Sequence, residues 1–181
     1  MQYKDLKHLE PFLLEKFDPN VVYMIMGIIK RYFDVFKKYI DRYTAAIIQE
    51  IKRSVLDKYT IYEQKIDSSK KGELSLSEKI LLFLNEYTRT KEFVGVLVSK
   101  KINDRNIFSH IYGFLISNVG DVGDTDKMLL IQKISKWIAL EIIKFDLYRE
   151  IVRDIARKKM NEIIENTSIK KWIKKIESLR S

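Results

Sequence analysis

The chain has no cysteine, only two histidines, two prolines and six glycines in 181 residues. Without cysteine there is no disulfide, no thiolate metal site and no cysteine nucleophile. Two histidines leave little for a histidine-based metal centre, and neither a metal nor another cofactor is expected. Sheets need turn residues every few positions, so the scarcity of glycine and proline points to long helices joined by few turns. No apolar run approaches the ~18 residues that crossing a bilayer takes. The opening stretch MQYKDLKHLEPFLLEKF carries charge throughout and has no clean apolar centre, so no signal peptide is expected. A soluble, cytoplasmic chain is the resulting expectation.

Charge and apolar residues are plentiful. Hydrophobic residues make up 46% and charged residues 33%, a balance that folds. The net charge is +9, which suits an anionic partner such as RNA, DNA or an acidic membrane surface. Solvated lysines on long helices would give the same balance.

Apolar periodicity predicts an all-α bundle of about five to seven mostly antiparallel helices, two of them long, with residues 1–181 as one domain. The first helix is expected over 3–17. Asp18 and Pro19 then suit an N-cap and a first helical position. The stretch from Val21 to about Lys65 keeps one stripe, with a break expected around 40–46 or near Asp57. Residues 67–75 read as a linker, and Ser75 with Glu78 as a capping box for a helix to about Tyr87. Helices are further expected over 93–102 and about 104–118. A loop follows at 118–126, then a long helix to about Glu165 and a break at Asn166–Ser168. In DVGDTD, Asp124 and Asp126 are better explained as helix caps than as calcium ligands, because the loop spacing and the closing glutamate are missing. No phosphate-binding glycine loop is present.

The last stretch, 168–180, is a basic amphipathic helix. Ile169, Trp172, Ile173 and Ile176 share one face, and Lys170, Lys171, Lys174 and Lys175 the other. Those lysines are candidates for nucleic-acid phosphates, and contact with an anionic membrane surface is the other use of such a helix. The plain alternative docks the Ile/Trp face on the bundle and leaves the lysines in water. The aromatic and basic run KRYFDVFKKY follows core spacing, and His8 stands at a stripe edge with no role assigned.

One cluster is not explained by a core. In DRNIFSHIYG, Ile107, Phe108, Ile111, Phe114 and Leu115 form the buried stripe, flanked by Arg105, Asn106, His110 and Tyr112. Arg105 is expected in the first helical turn, where backbone N–H groups favour an anion. Such an arginine neutralises a phosphate, and a histidine moves a proton. On a straight helix Arg105 and His110 point about 140° apart. They meet only if Arg105 leaves the helix or a second subunit completes the site.

Arg105-Asn106-Ile107-Phe108-Ser109-His110 resembles the R-x4-6-H motif of HEPN-domain proteins, in the form with Asn after Arg, and Tyr112 resembles the tyrosine of the R-x4-H-x-Y variant. The resemblance covers about eight residues. It implies an all-α, generally dimeric fold and, in many members, metal-independent endoribonuclease activity. By that resemblance His110 would act on the ribose 2′-hydroxyl or the leaving group. Arg105 would hold the scissile phosphate, Asn106 orient the pair, and Tyr112 assist or stack. The chain is longer than a compact toxin of that type, and the loop after the motif is extended. An inactive RNA-binding relative fits the same residues. A non-catalytic helical protein that binds DNA or another protein is a second reading. A third is a helical ligand-binding domain, since FLNEYTRTKEFVGVLV looks like the effector domain of TetR-type regulators, although no helix-turn-helix precedes it.

Overall fold

The computed structural model describes residues 1–69, 73–120 and 123–180. The described residues form an all-α bundle. The expected first helix is split into α1 (Tyr3–Lys7) and α2 (Glu10–Lys16). Pro11 explains the split: its ring would collide with the Lys7 carbonyl of a continuous helix, and it has no N–H to offer. Then α3 (Pro19–Arg31) starts as expected, with the Asp18 carboxylate accepting the Asn20 N–H at 2.8 Å.

The break in the next long stretch lies at Tyr32, earlier than expected, and α4 (Phe33–Ser68) runs on for 36 residues through both expected break points. Tyr32 takes φ −112° and ψ 28°, while its N–H still reaches Ile28 and its carbonyl still serves Phe36. Val22, Ile25 and Ile29 before the kink and Phe36, Ile40 and Ile47 after it are buried. At 100° per residue they share one face, so the apolar period carries no mark of the bend. The linker expected at 67–75 starts only after Ser68, and residues 70–72 lie outside the described residues.

Ser75 caps α5 (Leu76–Tyr87), accepting the Glu78 N–H and donating to its carboxylate. Thr90 caps α6 (Lys91–Ser99). Next come α7 (Ile107–Val119) and α8 (Thr125–Arg180). Asp124 caps α8 by accepting the Asp126 N–H at 2.9 Å, and residues 121–122 lie outside the described residues.

The core gathers around the first half of α8, which packs against α7, α4, α5 and α3. Ile131, Ile134, Ile138, Ile142, Leu147 and Ile151 are all buried there. Each such side chain contributes about 1.5–3 kcal/mol by leaving water. Ile151 is the last buried residue of α8. Beyond Ile155 the helix leaves the body and continues for about 38 Å at 1.5 Å per residue. No helix among the described residues is long and apolar enough to cross a membrane.

The break expected at Asn166–Ser168 does not occur. Thr167 turns its hydroxyl back onto the Ile163 carbonyl at 2.8 Å, which keeps a turn-forming side chain inside the helix. The apolar pattern nevertheless changes sides there. Val152, Ala156, Met160, Ile163 and Ile164 occupy one arc of about 120°; Ile169, Trp172, Ile173, Ile176 and Leu179 occupy the opposite one, at 100° per residue. We refer to them as the near and far stripes. Docking of the Ile/Trp face on the bundle is excluded: Trp172 is 65% exposed and Leu179 80%.

Candidate functional site

The motif residues are placed by a tight turn. Asn103 and Asp104 adopt left-handed φ of 53° and 63°. Ile102 and Arg105 exchange backbone hydrogen bonds across them, at 2.9 and 3.2 Å. Short polar side chains that bond locally make Asn and Asp the non-glycine residues best suited to this conformation. Asn106 is the N-cap of α7, its carboxamide oxygen accepting the Ser109 N–H at 3.0 Å. Arg105 therefore precedes the helix instead of occupying its first turn, contrary to the expectation from spacing.

Leaving the helix frees Arg105 to fold back along it. A guanidinium nitrogen lies 3.7 Å from where a Cβ on Gly113 would stand. Gly113 is three residues beyond His110 and so lies on the same face of α7. The Arg105 charge also acts on the Tyr39 phenol, drawing its pKa down against the larger upward push of burial and contact with Tyr43. Arg105 thus folds back onto the helix that carries His110, and Tyr39 bonds His110 and feels the Arg105 charge.

His110 is 4% exposed and held from both sides. Nε2 lies 3.0 Å from the Ile102 carbonyl, which only accepts, so Nε2 carries a proton. In the neutral ring Nδ1 is then a lone pair that accepts from the Tyr39 hydroxyl at 3.2 Å. Tyr43 stacks on the imidazole, with ring centroids 3.8 Å apart and planes 17° apart. Neither nitrogen is left to take a substrate proton unless Tyr39 moves. Asn106 and Tyr112 turn the other way, into an open recess of about 280 Å³ that they line with Phe108, Ser109 and Gln132.

Tyr39 and Tyr43 were not apparent as site residues in the sequence. Their four-residue spacing on α4 puts both on one edge of the helix, which is the one local sign that they act together. Arg105 is exposed and makes no ion pair with a carboxylate among the described residues. It is therefore free to take an anion.

Lys170, Lys171, Lys174 and Lys175 lie elsewhere, all exposed on the part of α8 that has left the body. None of them makes an ion pair among the described residues. The ion pairs among the described residues fall between His8 and Lys158, including Lys58–Glu92, Lys100–Glu50 and Lys158–Asp154. No group of three or more metal-capable side chains occurs among the described residues. His8 Nε2 meets Glu141 at 3.1 Å. Compared with family models, with curated proteins and with solved structures, the chain matches none, so its likeness to HEPN-domain proteins rests on the residues around Arg105 and His110 alone.

Proposed function

We propose that the protein binds RNA without cleaving it, as an inactive relative of the HEPN type. The observation that carries this reading is the Arg105 guanidinium, exposed, with no carboxylate partner among the described residues, and laid beside Gly113. A planar fork of donors in that position suits a phosphate. Tyr112 and Asn106 line the adjoining recess, where a base finds a ring to stack on and an amide to bond. The net charge of +9 supports association with a polyanion. His110 serves this site as a post: it holds Tyr39 and the Ile102 turn in place, and both its nitrogens are engaged in doing so.

The test uses labelled single-stranded RNA in EDTA, with the full chain and with Arg105→Ala, Tyr112→Ala and Tyr39→Phe. Binding should weaken steeply with salt, and Arg105→Ala should flatten that dependence by about one phosphate contact. The RNA should remain intact. Binding indifferent to Arg105→Ala overturns the reading. Cleavage by the full chain that is lost on Arg105→Ala and altered by Tyr39→Phe replaces it with a catalytic one, in which Tyr39 releases Nδ1 of His110.

A further inference from the structure

We propose that the far stripe of α8 is a docking face for an anionic lipid surface, independent of the site at Arg105. The helix reaches the tip with no covering from the body: Ile169, Trp172, Ile173 and Leu179 are exposed. On the wheel Lys170, Lys171, Lys174 and Lys175 fill the opposite arc, with Lys170 and Lys175 at its two margins. Glu177 is the one acid in the sequence between residues 168 and 180, and Arg180 stands on the apolar arc between Ile169 and Ile173.

The choice of occupant follows from using both faces at once. A nucleic acid takes the lysines but leaves Trp172 and its apolar neighbours in water. A second copy of this helix takes the apolar stripe but sets lysine against lysine along its flanks. The stripe also spans only some eleven residues, under the three or four heptads that sustain a coiled coil. A membrane with acidic headgroups takes both. The apolar face sinks to the acyl boundary, the marginal lysines reach sideways to headgroup oxygens, and the remaining cations sit in the negative surface potential. Trp172 belongs at that boundary, where an amphipathic ring is most favourable. The helix lies in the plane of the surface and does not cross it.

The experiment is co-sedimentation of the full chain with vesicles of phosphatidylcholine alone and of phosphatidylcholine with 30% phosphatidylglycerol. Tryptophan emission is followed in parallel, with Trp172→Phe identifying which of the two tryptophans responds. Two variants test the two faces: Trp172→Ser/Ile176→Ser, and Lys170→Gln/Lys171→Gln/Lys174→Gln/Lys175→Gln. All six residues are outside the core, so the body stays folded, which thermal melting verifies. The expected result is at least about tenfold stronger partition into the anionic vesicles, with a blue shift that Trp172→Phe removes. Each variant should lower that partition by about tenfold or more. Equal partition into both vesicle types, or partition unchanged by the serine pair, overturns the proposal. Retention of the full chain by RNA that depends on the four lysines, with no vesicle binding, assigns this face to nucleic acid instead.

Discussion

At the scale of single residues, His110 works as a buried strut. Replacing it with alanine removes two hydrogen bonds and the stacked partner of Tyr43, and leaves the Tyr39 hydroxyl without that acceptor. A loss of about 2–4 kcal/mol in urea unfolding is expected. Asn106→Ala removes the cap of α7 and should cost about 1 kcal/mol in the same measurement. Asp146 carries the opposite kind of effect. Burial, and then the nearby Asp41 charge, raise its carboxyl above the ordinary value, while Lys37 and Arg149 pull it back only in part. The folded chain therefore holds that proton to higher pH than the unfolded chain does. This group adds stability as pH falls through its raised value, and subtracts it once ionised at neutral pH. Asp146→Asn should raise Tm by roughly 2 °C at neutral pH, and the gain should shrink as pH falls and the carboxylate takes up its proton.

At the scale of elements, α8 is two structures in one helix. Its first half is held by the core, whereas the part beyond Ile155 has only its own hydrogen bonds, and an isolated helix of that length is marginal in water. Amide exchange should be slow over 131–151 and fast over 157–180. Truncation after Arg157 should leave Tm within about 1 °C while removing helical signal in proportion to the residues lost. Sequence and structure part company for related reasons. Helix existence was legible because stripes and caps are local: Asp18, Ser75 and Asp124 do what their positions imply. The kink at Tyr32 was not legible, because both sides bury the same face. Pro11 marked the α1–α2 break, but the unbroken Leu6–Leu9–Leu13 stripe concealed it. At Asn166–Ser168 the residues suggest a break, yet nothing packs there to reward one, and the helix continues. The candidate site was half legible. Arg105 and His110 stood out by type. The surroundings of His110 depend on the left-handed turn at Asn103–Asp104 and on Tyr39, some 70 residues away in the chain, and long-range placement of this kind leaves no local mark.

At the scale of the whole molecule, charge and shape are unevenly shared. Ion pairs tie down lysines on the body, such as Lys37 with Asp41 and Lys79 with Asp67, while the four lysines at the tip make no ion pair among the described residues. Polyanions and acidic surfaces are therefore met first by the tip, and raising salt should slow that encounter more than it weakens the body. The projecting helix also lengthens the particle. A compact chain of this size has a radius of gyration of about 16 Å, and small-angle scattering should give a clearly larger value.

The change of stripe at Asn166–Ser168 gives this rod two grips facing opposite ways. Any flat body that covers Trp172 and Ile173 leaves Met160, Ile163 and Ile164 turned outward, one helical segment nearer the bundle. A straight α8 cannot bring both stripes to the same plane.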